Sequence, residues 1–205
     1  MPAEDRDGLP DRREMAEPAA EAEGADGRVR DASSDRVPVD QGIERSKGEP
    51  MRVLAIDPGT TQSGYVLYDG KVITAGVMDN GELLQIVRDD RSDCLSIEQI
   101  VSYGKAVGQE TFDTCVWAGR FMQAWACPDE VHMVRRAEVK KELGLSGAAK
   151  DKQVNAALLQ RVGPKGTKKD KGPTYGVASH AWAALGVAVV AMKRINGGAA
   201  ANEGV

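Results

Sequence analysis

The stretch MRVLAIDPGTTQSGYVLYDG, residues 51–70, limits what this chain can fold into more than any other feature of it. Met51 to Ile56 is rich in Val, Leu and Ile and reads as a buried strand, and Gly64 to Tyr68 reads as a second one. Between them lies a turn built from Pro58, Gly59 and two threonines, so Asp57 stands where a central strand ends. That carboxylate has two accounts. It caps the turn before Pro58, or it serves chemistry at the strand end.

The rest of the chain can be read by the same periodicities. Asp69-Gly70 is a hairpin signal and Lys71 to Met78 alternates as a third strand, which gives an antiparallel meander. Glu82 to Val87 reads as a short helix, and Cys94 to Ile97 as a further buried strand ending at Glu98. A second acid therefore also stands at a strand end. From Glu110 to Ala126, Phe112, Cys115, Val116, Gly119, Phe121, Met122 and Trp125 follow helical spacing and predict a long packed helix. Val131 to Val134 reads as a strand, Ala137 to Leu143 and Lys152 to Val162 as helices, and His180 to Met192 as a final apolar helix. Pro164 to Pro173, rich in Lys and Gly, reads as a mobile loop. The order of three strands, helix, strand, helix, strand and then helices is that of the RNase H-like fold. This is an α/β class with a mixed five-stranded sheet and helices on both faces.

Composition divides the chain of 205 residues. Residues 1–50 hold 14 acidic and 8 basic side chains and no aromatic residue, too little apolar surface to offset the entropy of ordering, so a disordered acidic tail is expected. One domain is expected over 51–195, followed by a flexible Gly- and Ala-rich tail over 196–205. Residues 51–205 carry 17 acids against 19 bases, and Arg135 to Lys171 alone carries 11 bases against 4 acids. Such a run is a solvated face or the footprint of a polyanion such as DNA. On the second reading Arg135, Arg136, Lys140, Lys141, Lys165, Lys168, Lys169 and Lys171 are the DNA-binding candidates. Cys94, Cys115 and Cys127 have neither zinc-site spacing nor the even count of a disulfide framework. No apolar secretory segment follows the charged start, and Ala178 to Met192 is too short to span a bilayer, so a cytoplasmic protein without a membrane partner is expected.

Three potential ligands stand out: Asp57 after the first strand, Glu98 after the fourth, and His180 opening the last helix. In the expected sheet the first and fourth strands are neighbours, so their acidic ends converge and the last helix can bring His180 to the same point. Two carboxylates and an imidazole can hold Mg²⁺ or Mn²⁺. Such ions activate a water and stabilise the leaving 3′ oxygen in phosphodiester hydrolysis. Each residue also has a plainer reading, Glu98 as a solvated loop acid and His180 as a packing residue at a helix start.

Taken together, the segments IDPGTTQSGYVLYDG, SIEQIVSYG, VGQETFDTCVWAGRFMQAW and GPTYGVASHAWAALGVAV resemble the Holliday-junction resolvases of the RuvC type, and more closely the RuvC-like proteins of phages and prophages. The resemblance runs from Met51 to Arg194. It implies structure-selective cleavage of branched DNA, such as a four-way junction, by a homodimer whose subunits each hold metal ions on acidic residues. Asp57 matches the first-strand acid and Glu98 the fourth-strand acid. His180 matches the first of two final positions, but Ala183 stands where the second acid is expected. Lys150 and Lys152, just before Gln153-Val154, match the stretch in which a Lys approaches the scissile phosphate, or are solvated charges at a helix start. The helix Thr111 to Trp125 is the expected dimer surface. Two other functions remain open: a junction-binding protein with weakened catalysis, and an ATP-binding domain of the actin and heat-shock type. The latter uses a similar Asp-x-Gly-Thr-Thr turn but needs a second phosphate loop and normally two such domains.

Overall fold

The computed structural model describes residues 50–102 and 104–202. The expected disorder of the acidic segment falls, but for Pro50, outside these residues. Five strands form one sheet in the order β3-β2-β1-β4-β5. They are β1 (Val53–Asp57), β2 (Gln62–Tyr68), β3 (Val72–Asp79), β4 (Cys94–Gln99) and β5 (Val131–Arg135). β2 is antiparallel to both β1 and β3, whereas β4 runs parallel to β1 and β5 parallel to β4. The helices are α1 (Asn80–Asp89), α2 (Gln109–Ala124), α3 (Arg136–Glu142), α4 (Asp151–Val162) and α5 (Ala181–Asn202).

Side chains alternate across a strand, and the two halves of β1 have different partners. Val53 and Ala55 face a core shared with Val139 of α3, Val154 and Leu158 of α4 and most of α5. Leu54 and Ile56 face the other core, built from Leu83, Leu84 and Val87 of α1 and Ala118, Phe121 and Trp125 next to or in α2. Both faces of the sheet are thus covered by helices, which is why β1 and β4 read as nearly continuous apolar runs. Ala184 to Ala191 of α5 is buried throughout, as expected of a helix held between the sheet and other helices. Its Gly186 lets α3 close in, since a Cβ there would lie 2.7 Å from Cγ1 of Val139.

Three expectations need correction. Within the apolar series on α2, only Phe121 and the adjoining Trp125 are buried, alongside Thr114 and Ala118, while Phe112 is 56 % and Val116 60 % exposed and Cys115 and Met122 are exposed with them. The apolar stripe is wider than the single face that α1 and the sheet can cover. The final helix does not stop near Met192 but continues to Asn202, through part of the stretch expected to be a flexible tail. Ala-rich sequence propagates a helix already nucleated by packing, and each glycine on the way costs only about 1 kcal/mol. The Lys- and Gly-rich segment is a tight hairpin rather than an open loop. Gly166 and Lys171 form an antiparallel bridge, and the amide of Thr167 donates to the carbonyl of Asp170 at 2.7 Å. Its base is tied to the start of β3 by the Val72 amide, which donates to the Pro173 carbonyl.

Candidate active site

The parity that sorts β1 also places the site. Asp57 continues the Val53 and Ala55 series toward α5, and in β4 Glu98 continues the series of Cys94 and Ser96. Ile56 is opposite Ile97 in the parallel ladder, so the next rung brings Asp57 beside Glu98. β5 is parallel to β4, with Gln99 opposite Arg135, and Arg136 follows at its end. The carboxyl ends of three parallel strands therefore supply an acid, an acid and a guanidinium. In open α/β sheets such ends are where ligands bind.

The turn after Asp57 is held by buried polar groups. Ser63 Oγ accepts from the Gly59 amide at 3.2 Å and donates to Asn80 Oδ1 at 2.6 Å. Asn80 Nδ2 donates to the Gly59 carbonyl at 3.0 Å, and the Asn80 amide to the Thr61 carbonyl at 2.9 Å. Gly59 has no room for a side chain, because a Cβ would lie 2.2 Å from the Gln62 carbonyl oxygen. Opposite this turn, Gly64 of β2 abuts the residue that opens α5, and a Cβ on it would lie 2.5 Å from the His180 carbonyl carbon. That close approach brings His180 Nδ1 to 3.1 Å from Asp57 Oδ2. Ser179, just before it, has φ 46°, the only positive φ at a non-glycine among the described residues.

Asp57, Glu98 and His180 line one open cleft of about 410 Å³ together with Arg136, Asp151, Asn155, Ser179, Trp182 and Ala183. Burial raises the Asp57 carboxyl above its ordinary range, while hydrogen bonds from His180 and Glu98 pull it back down. Burial and the negative charge of Asp57 push Glu98 up to about 7. The two carboxyls titrate as a pair that resists carrying both charges. A half-buried acid pair of this kind suits a hard divalent cation, which relieves the repulsion and takes its remaining ligands from water and substrate phosphate. Among the described residues no three His, Cys, Asp or Glu side chains are arranged to hold an ion by themselves. The donor set present is the carboxylate pair with His180 bonded to one of its members.

The other expected residues divide. Arg136 lines the cleft, but Lys150 and Lys152 do not; Lys150 is the N-cap of α4 and Lys152 is exposed on its first turn. Between them Asp151 enters the cleft and pairs with Arg136. Sequence reading missed it because an acid inside Lys-Asp-Lys looks like part of a basic helix start; its place at the first helical position was the available signal. Arg135 donates through Nε to Gln99 at 3.0 Å, and Lys140 through Nζ to the Gly147 carbonyl at 2.8 Å. Lys141 borders a different groove with Glu142, Lys193 and Arg194. Lys165, Lys168, Lys169 and Lys171 are exposed on the hairpin, and Lys171 Nζ lies 5.2 Å from the centre of the Tyr175 ring. The base of that hairpin joins the start of β3, whose Val72 pairs with Tyr68 and so lies across from Val53, at the sheet end opposite Asp57. Among the described residues no helix is long and apolar enough to cross a membrane.

No protein-family model and no curated protein matches the chain. Solved structures do. The structure of T. thermophilus RuvC in complex with Holliday junction substrate is 17 % identical with a TM-score of 0.55, over 72 % of this chain and 96 % of that one. A second Thermus thermophilus RuvC structure is 19 % identical with a TM-score of 0.54, over 72 % of this chain and 97 % of that one. The mixed five-stranded sheet with helices on both faces thus has the RuvC-like form of the RNase H-like fold.

Proposed function

We propose that this chain is a divalent-metal-dependent endonuclease that cuts phosphodiester bonds in branched DNA, four-way junctions included. The observation that carries the reading is the pair of half-buried carboxyls, Asp57 and Glu98, side by side at the ends of adjacent parallel strands in an open cleft. Asp57 and Glu98 would hold Mg²⁺ or Mn²⁺, with His180 as the third donor or as the group that orients Asp57. Bound there, the ion would lower the pKa of a water and neutralise charge on the leaving oxygen. The chain's own work is to position and to move protons. Hydrolysis joins a water oxygen to phosphorus and breaks the bond from phosphorus to the 3′ oxygen, leaving a 5′-phosphate and a 3′-hydroxyl. One proton must leave the water and one must reach the 3′ oxygen. When Nδ1 of His180 donates to Asp57, its Nε2 is a free acceptor on a side chain 69 % exposed at the cleft.

DNA enters this reading through charge and shape. A second groove of about 470 Å³, lined by Thr60, Thr61, Gln62, Thr111 and again His180, continues past the acids and offers a path for a strand. Lys140 and Lys141 of α3 and the lysines of the hairpin would contact phosphates away from the reacting one. The exposed Phe112, Val116 and Met122 on α2 support a homodimer, which would present two sites to the two strands a junction must lose. Ala183 at the cleft, where an acid is expected, favours the second reading of a junction-binding protein with reduced turnover.

One experiment separates them: nicking of a synthetic four-way junction with and without Mg²⁺, for the parent and for Asp57→Asn. The nuclease reading expects metal-dependent nicks that the variant loses while junction affinity stays within a few-fold. Binding without nicks in the parent identifies the weakened form, and equal nicking by parent and variant overturns the assignment of the site.

A further inference from the structure

Arg136 is the only Lys or Arg among the described residues that line the acid cleft. It is not a simple counterion there. Its Nη2 pairs with Asp151, and neither Asp57 nor Glu98 receives a hydrogen bond from it, although its charge lowers the pKa of both. Its Nη1 is buried and has no hydrogen-bond partner. A buried donor left unpaired costs about 1–3 kcal/mol, so one is normally matched by a water or by a ligand oxygen.

The neighbours narrow what that ligand is. Asp57 and Glu98 repel an approaching anion, and the two lysines of the adjoining helix start stay outside the cleft. The guanidinium at the end of β5 is thus the group positioned to admit a phosphate between the acids and α4. Asp151 holds one nitrogen of the fork and leaves the other without a partner. We propose that Arg136 binds a non-bridging oxygen of the scissile phosphate, with Asp151 as its positioning residue. This rests on the nuclease reading and extends it: the charge developing on phosphorus during attack is met by a fixed guanidinium as well as by the metal.

The test uses the full chain and a four-way junction whose nick sites have been mapped with the parent protein. Junctions carrying a neutral methylphosphonate at the mapped phosphate are compared with unmodified ones for binding in EDTA, with parent, Arg136→Gln, Arg136→Lys and Asp151→Asn. The parent should lose roughly 10-fold in affinity on the neutral junction, the worth of a charge-assisted hydrogen bond. Arg136→Gln should lose about as much on the unmodified junction and nothing further on the neutral one. Arg136→Lys, which keeps the charge without the fork, should fall between them, and Asp151→Asn should shrink the coupling while leaving some of it. Single-turnover nicking by Arg136→Gln should drop on the order of 100-fold. Independent, multiplicative losses in the Arg136→Gln cycle overturn the proposal. Should that variant fail to fold by circular dichroism, the same cycle with Arg136→Lys decides it. A parent that makes no nick at all instead removes the nuclease reading, and this inference with it; a parent that nicks but shows no coupling removes this inference alone.

Discussion

Replacing Glu98 with Gln should stabilise the metal-free protein increasingly above about pH 4.5, and most at neutral and higher pH. In the folded chain the Glu98 carboxyl is pushed from 4.5 up to about 7, first by burial and then by the charge of Asp57. Below pH 4.5 it is protonated whether the chain is folded or not. Between 4.5 and about 7 the unfolded chain releases the proton that the folded chain keeps, so stability falls as pH rises. Above about 7 the folded carboxyl is ionised too, and the whole penalty, about 3 kcal/mol, is present. Glutamine keeps the shape and cannot ionise. Urea denaturation in EDTA, followed by tryptophan fluorescence, should therefore find Glu98→Gln more stable than the parent by about 2–3 kcal/mol at pH 8, shrinking to under about 1 kcal/mol at pH 4.5. Asp57 is raised by burial as well and remains in the variant, so a slope of the same sign persists. Added Mg²⁺ should recover much of the difference in the parent at pH 8 and little in the variant. A gap between parent and variant that does not change with pH would refute the argument, because packing differences carry no proton dependence.

Gly64→Ala should lower stability by about 1–3 kcal/mol and reduce nicking, since the new Cβ would displace the backbone of His180, 2.5 Å away; thermal melts and nicking rates of the purified variant check both parts. Replacing Phe112, Val116 and Met122 together with Ser should leave monomer stability within about 1 kcal/mol, because all three are exposed. On the dimer reading the same triple variant sediments as a monomer at tens of micromolar in analytical ultracentrifugation, where the parent does not. Neutralising Lys168, Lys169 and Lys171 should flatten the dependence of junction affinity on log salt by about 1 for each phosphate that then keeps its counterion, and an unchanged slope would mark the hairpin as a solvated feature.

What the sequence determined by itself is the set of elements and the identity of the acid pair. Local periodicity decides both. The apolar runs over Met51 to Ile56 and Cys94 to Ile97 mark buried strands, and an acid closing each run is conspicuous there. The approximate helix positions were legible for the same reason. Which apolar residues of α2 go inward was not, because Phe112, Val116, Phe121 and Met122 are equally apolar and only the area that α1 and the sheet can cover selects among them. The hairpin at Gly166 to Lys171 depends on cross-chain backbone bonds that a Lys- and Gly-rich composition does not announce. The cleft shows the division most clearly. Asp151 and Arg136 are ordinary charged residues in a basic run until the parallel pairing of β4 with β5 and the placement of α4 set them against Glu98. Lys150, the N-cap, and Lys152, one 100° helical step past Asp151, do not line the cleft. A strand or helix period can be read within a dozen residues, whereas a site is fixed by contacts between segments far apart in the chain, and those exist only once the sheet has chosen its order.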